Sequence, residues 1–135
     1  MYTANIYTVS IVSPGVILEE EHIARETINH WNAAFGKAKG KVFLPLPSDT
    51  TAEPDIYVMP IDNYVEAEKV EAAVATDAKV FLFFRKFHDA DNTIATELQA
   101  IEALRSSTKA TCIDYNGPSD FDKALIGAIH HLKLV

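Results

Sequence analysis

Glu97 is the residue whose type and place most invite chemistry. At about 100° per residue, Ile94, Leu98, Ala100, Ile101 and Leu104 share one arc of the helical pattern from Ile94 to Arg105, and Glu97 falls in the middle of it. A carboxylate aimed at a core without a partner is costly or gives up its charge. The expectation is that this face opens onto a cavity near the helix start, where the carboxylate acts as an active-site acid. The plainer alternative is a first-turn Glu that complements the helix dipole, which stabilises by a few tenths of a kcal/mol and requires no inward projection.

Other groups can meet a ligand at the same place. Arg85, with Lys86 and His88, directly follows a strand pattern and could face an anionic group, or pair with Asp89, Asp91 or Asp55 in a solvated loop. Asn116 and Gly117 could cradle a ligand or simply form the turn their dipeptide favours. Glu53 and Asp55 belong to a long irregular stretch, Pro47 to Pro60, and Ser13 offers a hydroxyl or an amide after the first strand pattern.

Several familiar sites are excluded. His22, Glu26 and His30 recur at a spacing that can assemble metal ligands, but they lie opposite the Ile17, Ala24, Ile28, Trp31 stripe and face solvent, so no metal is expected. Glu19, Glu20 and Glu21 read as first-turn dipole partners on a solvated face, and His130 and His131 as partners of a helix C-terminus. Cys112 lies in the apolar run Ala110 to Tyr115 and reads as an inert core thiol. There is no Gly-x-x-x-x-Gly-Lys-Ser/Thr loop, no Gly-x-Gly-x-x-Gly after the first strand and no Cys-x-x-Cys. These absences argue against a nucleoside triphosphatase, a dinucleotide dehydrogenase and a thiol redox protein, and no cofactor is expected. A phosphoacceptor receiver would want acids after the first strand and an Asp ending the third, where Ser13 and Arg85 stand instead.

Lys and Arg number 12 against 19 Asp and Glu, and the net charge of −7 repels phosphate backbones and anionic bilayers. Neither nucleic acid nor membrane is an expected partner. The opening Met1-Tyr2-Thr3-Ala4-Asn5 lacks the pattern of a signal peptide, and no apolar run approaches the ~20 residues of a membrane span, so the expected location is cytoplasmic. A length of 135 residues predicts a single domain, 1–135.

Two hydrophobic periods alternate along that domain. Ile6 to Val12, Val42 to Leu46, Lys79 to Phe84 and Ala110 to Tyr115 are short runs rich in β-branched and aromatic residues, each followed by a longer helical pattern. The near-continuous apolarity of Val80 to Phe84 suits a strand covered on both faces. The first helix is predicted from Ser13 as N-cap to Phe35, with Gly36 releasing it. The second starts near Asp62 and carries Ala67, Val70 and Val74 inward, and the last follows Asn116 to Ser119 and buries Leu125, Ile129 and Leu132. The expected fold is α/β, a flavodoxin-like three-layer α/β/α arrangement with a four-stranded parallel sheet in the order 2-1-3-4. A fifth strand would have to come from Met1 to Asn5 or from Lys133 to Val135. Four connections then share the carboxyl edge of the sheet: Ser13 to Val16, Pro47 to Pro60, Arg85 to Thr93, and Asn116 to Ser119.

The run Ser13-Pro14-Gly15 after a first strand, a Glu-rich helix and Trp31-Asn32 near its end resemble the opening of small TIR-like domains of bacterial conflict systems. Thr93-Ile94-Ala95-Thr96-Glu97-Leu98 resembles the segment in which that group, the TIR NAD hydrolases and the nucleoside 2-deoxyribosyltransferases carry a catalytic Glu. Val16 and Glu21 stand where the conflict-system pattern has an acid and an arginine. The resemblance implies cleavage or transfer at a ribosyl N-glycosidic bond of NAD or a nucleoside, with Glu97 as the catalytic carboxylate facing an oxocarbenium-like centre. Ser13, Asp55, Arg85 and Asn116 are the expected ligand contacts. The competing expectations are a non-catalytic module that senses a nucleotide or binds a protein, and a homo-oligomer that uses helix faces as contacts.

Overall fold

The computed structural model describes residues 4–13, 19–47, 53–62, 65–85 and 95–132, with side chains in the last segment from Gln99 onward. Its elements are β1 (Asn5–Ile11), α1 (Glu20–Trp31), a π-helical stretch (Asn32–Gly36) running into α2 (Lys37–Lys39), β2 (Lys41–Pro45), β3 (Ile56–Ile61), α3 (Ala67–Val74), β4 (Lys79–Arg85), α4 (Ala95–Ser107), β5 (Thr111–Tyr115) and α5 (Pro118–His130). The strands form one sheet in the order β2-β1-β3-β4-β5, and every neighbouring pair is parallel.

Strand alternation divides the core between two helix layers. Val9, Ile11, Phe43, Ile56, Val58, Phe81, Phe83 and Tyr115 pack with Ala24, Ile28 and Trp31 of α1 and Phe121, Leu125 and Ile129 of α5. On the other face, Met59, Ile61, Val80, Leu82 and Phe84 pack with Val70 and Ala73 of α3 and Ile101 and Leu104 of α4. The three-layer α/β/α fold with a parallel sheet is therefore present, and its four expected strands keep their relative order.

The fifth strand is β3, and it comes from neither terminus. It lies inside the stretch expected to be an irregular loop, and Pro60 disguised it, because proline in a central strand normally removes a ladder hydrogen bond. The carbonyl of Val58 accepts from the N–H of Val12, so residue 58 and, two residues on, Pro60 direct their backbone polar groups toward β1. The pairing of β1 with β3 ends at Ile11 and Val58, so the missing N–H of Pro60 falls beyond the last rung.

β3 enters the sheet beside Val9, level with the point where β2 leaves it at Pro45. Asp55 closes the ladder at the start of β3: its carboxylate accepts from the backbone N–H of Thr8 at 2.8 Å, and its own N–H donates to the Thr8 carbonyl at 3.0 Å. The β1–β2 face turned away from α1 carries Ile6, 64 % exposed, and Leu44, 50 % exposed.

Helix boundaries differ from expectation for local reasons. Glu19, not Ser13, stands at the N-cap of α1, and Pro14 and Ile17 lie outside the described residues. The helical path continues past Gly36 to Lys39 and stops at Gly40, whose φ of 67° is the left-handed conformation that glycine adopts freely. Gly36 serves close packing instead, since a Cβ there would sit 3.0 Å from the Lys41 carbonyl. The wider π turn takes Phe35 out of the buried stripe, leaving it 40 % exposed. Asn32 uses both ends of its amide on the backbone of Phe43, accepting at 2.9 Å and donating at 2.7 Å, and so ties the edge strand β2 to this turn. α3 begins at Ala67 rather than near Asp62, and α5 begins at Pro118 with Gly117 at the N-cap rather than after Ser119. Among the described residues no helix is long and apolar enough to cross a membrane.

Candidate functional site

Parallel strands bring their final residues to one edge, so a polar residue just after each apolar strand joins a common row. Here that row is Ser13 after β1, Asp62 after β3, Arg85 ending β4 and Tyr115 ending β5. Arg85 and Tyr115 are register partners, and the preceding pair Ile61–Phe84 sets Asp62 beside Arg85. An ion pair of 3.9 Å joins Arg85 Nη1 to Asp62 Oδ2, with both side chains about a third exposed (29 % and 32 %). At that separation and exposure it contributes little stability, on the order of 0–1 kcal/mol, and leaves the guanidinium open to a ligand.

At the β5 end of the row is a buried pair. Tyr115 belongs to the α1–α5 side of the core, where its ring lies 5.0 Å from Phe121, and its hydroxyl donates to Glu20 Oε2. Glu20, the first residue of α1, is fully buried. Burial pushes the Tyr115 phenol well above its ordinary range, and the hydrogen bond to Glu20 and that carboxylate's negative charge push the same way, against the opposing influence of Arg85. The phenol therefore keeps its proton and remains a donor. Beside this pair, Ser13 is 6 % exposed and its N–H donates to Glu21 Oε1 at 3.0 Å. Two buried side-chain atoms among the described residues have no hydrogen-bond partner, and both are here: Ser13 Oγ and Glu20 Oε1.

Of the expected site residues, Ser13 and Arg85 are brought together. Asn116 lies at the same edge, exposed, where its side-chain amide donates to Asp120 Oδ2 at 3.3 Å. Asp55 is not brought in, because it occupies the amino end of β3. Glu97 is the third residue of α4, two positions after Ala95, and its side chain lies outside the described residues, as do Lys86 and His88. Ala100, expected on the buried arc, is exposed, while Ile101 and Leu104 are buried.

Glu20 and Tyr115 were missed. Glu20 was assigned to a solvated face, yet it stands one turn before Ala24 and within about 20° of Thr27 and Trp31 on the helical wheel, all of them buried. Glu20 thus projects from the apolar arc of its own helix, as Glu97 does in the pattern from Ile94 to Arg105. His22 and Glu26 pair at 3.1 Å on the exposed side, as a solvated arc should, and no group of three metal-ligating side chains occurs among the described residues. Cys112 is half-buried, and burial raises its thiol pKa, which keeps it protonated and unreactive.

Tyr115→Phe is expected to destabilise the fold by about 1–3 kcal/mol, because it leaves Glu20 Oε2 without a donor as well. The pH dependence has a definite sign. The folded phenol pKa lies above the unfolded value of about 10, so the folded state binds more protons once pH exceeds that value. Its contribution is complete below about pH 10 and is lost as pH rises toward the folded pKa. Urea midpoints near neutrality and near pH 11 should fall further apart in the wild type than in the variant; equal falls would detach the phenol from alkaline stability.

The row and its two helix layers define an open, doubly wound parallel α/β domain of flavodoxin-like architecture with a polar site at the carboxyl edge. No family model and no curated protein sequence matches the chain. Among solved structures, S. aureus homoserine dehydrogenase aligns over 83 % of this chain and 33 % of its own, with a TM-score of 0.51 and 10 % identity. The chain thus spans about a third of that enzyme's length, and the likeness is one of fold (33 % of it covered). A short-chain flavodoxin associated with a non-canonical PDU bacterial microcompartment aligns over 96 % of this chain and 98 % of its own, at 11 % identity and a TM-score of 0.46.

Proposed function

We propose that this chain is a cytoplasmic TIR-like domain that processes a nucleotide or nucleoside at the carboxyl edge of its sheet, with Glu97 as the carboxylate at a ribosyl N-glycosidic bond. The observation that carries the reading is the convergence of Ser13, Glu20, Asp62, Arg85 and Tyr115 on that edge with Ser13 Oγ and Glu20 Oε1 buried and unsatisfied. Buried polar atoms are nearly always paired, so a site that leaves two unpaired is a site for hydroxyl or amide groups supplied from outside. Arg85 supplies positive charge for an anionic part of the ligand. In the reaction, the bond from the ribosyl C1′ to the base nitrogen breaks with its electron pair leaving on the base. The Glu97 carboxylate attacks C1′ or stabilises its positive charge, and water or a second nucleoside base then takes that carbon.

A second reading, a non-catalytic nucleotide sensor, is favoured by the way the described polar groups already pair, Asp62 with Arg85 and Glu20 with Tyr115, which suits binding more than proton transfer. Incubation with NAD, nucleosides and deoxynucleosides, followed by chromatography for released base and by thermal shift for binding, separates the two. Base release supports the enzyme; a raised Tm without release supports the sensor; neither effect with any of these compounds would remove both.

A further inference from the structure

We infer that His130 is an acid-released latch: as a neutral ring it fastens the end of α5 to the end of α1 through Trp31, and on taking a proton it lets go. The latch lies at the amino edge of the sheet, where Lys41 at the start of β2 donates from Nζ to the Leu132 carbonyl at 3.1 Å. It is remote from the row of Ser13 and Arg85 and independent of the nucleoside reading. The indole N–H of Trp31 donates to His130 Nδ1 at 3.3 Å. Trp31 is 2 % exposed and His130 is half-buried, so the donor is enclosed while the acceptor ring is within reach of solvent protons. Phe35, on the π-helical stretch, stands edge-on to the His130 ring at 5.0 Å, and Phe43 of β2 stands edge-on to the indole, also at 5.0 Å. His130 therefore meets α1 through Trp31 and the π turn through Phe35.

The direction of this hydrogen bond fixes the state of the imidazole. An indole nitrogen only donates, so Nδ1 presents its lone pair and the ring proton sits on Nε2. A protonated imidazole donates from both nitrogens and offers the indole nothing. Two N–H groups then face each other, and the enclosed donor of Trp31 is left unpaired. Histidine is the side chain whose charge changes near neutrality, within about pH 5–8. Among the described residues no carboxylate forms an ion pair with His130. The charged and titratable groups around it are the His131 ring on its own helix, 5.4 Å away, the Lys41 ammonium from β2 and, from α1, the exposed His30, which lines the α1–α5 groove with Glu26 and Asp122. The negative end of the α5 dipole favours a cation there. It acts on charge, however, and does not restore an acceptor to the indole. Asn32 keeps its two bonds to the Phe43 backbone, so the π turn stays tied to β2 and the loosening is confined to the contact between α1 and α5.

Trp31 is the only tryptophan, so the full chain gives a single indole N–H signal. The test follows that signal by proton–nitrogen NMR from about pH 8 to about pH 5 in the wild type, His130→Gln, His131→Gln and His30→Gln, with circular dichroism to confirm folding. The wild-type signal is expected to move along a one-proton curve. At about pH 5 its N–H should exchange with water at least about fivefold faster than in His130→Gln, whose amide carbonyl accepts the indole bond and does not titrate. At about pH 8 the two should differ by less than about twofold, since both then offer an acceptor. His131→Gln and His30→Gln should keep the wild-type curve. A wild-type signal that does not move, a curve that survives in His130→Gln, or equal exchange of the two at about pH 5 would overturn the latch. If His130→Gln does not fold, the wild type decides alone: long-range spectra of the imidazoles should place the neutral His130 proton on Nε2, and the indole curve should follow the titration of that ring. A proton on Nδ1, or an indole curve that follows another histidine, would overturn it as surely.

Discussion

Phe121→Ala is expected to cost about 3–5 kcal/mol of folding free energy, the largest loss of stability from a single truncation near the site. Phe121 is fully buried in the first turn of α5, and its ring sits 5.1 Å from Phe83 in an edge-on arrangement and 5.0 Å from Tyr115. Removing it takes a large apolar ring out of the core and leaves a cavity that Phe83, held in the middle of β4, cannot close. It also withdraws the surface that fixes the Tyr115 ring, so the hydroxyl bond to Glu20 should loosen in the molecules that still fold. Urea denaturation measures the first effect, and the alkaline fall in stability assigned to the phenol measures the second, expected to shrink with Tyr115's fixation. Phe121→Leu, which keeps most of the volume, should cost less than about 1.5 kcal/mol. A loss under 1 kcal/mol for the alanine variant would mean that α5 does not pack on the sheet through this ring.

The parts of the fold legible in the sequence are those in which one physical demand dominates. Val80 to Phe84 must be covered on both faces, and it is, lying between α1 and α5 on one side and α3 and α4 on the other. The α5 helix was legible because Gly117, Pro118 and the spacing of Leu125 and Ile129 agree. β3 was hidden because its proline contradicts its apolarity, and only the depth to which β1 pairs beside it makes that proline harmless. Sequence carries no direct mark of that depth. The start of α1 differs from expectation although Ser13-Pro14 has the chemistry of a helix opening: the described helix begins at Glu20, with Glu19 at the N-cap.

The site was half legible. Strand-end residues could be placed because the parallel topology fixes which edge they share, which is why Ser13 and Arg85 lie at the edge where they were expected. Asp55 lies at the start of β3 and not at the carboxyl edge, because part of the stretch expected to be a loop is a strand and the residue before a parallel strand lies at its opposite end from the one after it. Glu20 was overlooked because it was grouped with its neighbours Glu19 and Glu21 as a charge run. A helix turns about 100° per residue, so three consecutive carboxylates cannot share an environment: Glu19 is exposed, Glu21 half-buried and Glu20 fully buried. Tyr115 follows Ile113 by two residues and so shares its face of β5, but nothing in the chain announces that a carboxylate ninety-five residues away meets it.

Glu97→Gln is expected to leave the fold intact and to lower turnover of the N-glycosidic substrate by about a hundredfold or more. The amide matches the carboxylate in shape, so packing and helix propensity change little, while the charge and nucleophilicity needed at C1′ are lost. The residue stands one turn before Ile101 and two before Leu104, both buried against the sheet, in the helix that follows the Arg85 connection. Stability should therefore report only a small change: the helix-dipole contribution of a first-turn carboxylate is roughly 0.3–1 kcal/mol, and Gln forgoes it. Binding should fall much less than turnover, because the proposed contacts Ser13 and Arg85 are unchanged; the split between kcat and KM distinguishes a group acting in the transition state from one that only binds. Full turnover in Glu97→Gln would deny it the catalytic role. Binding without turnover in the wild type, weakened in Glu97→Gln, would instead favour the sensor.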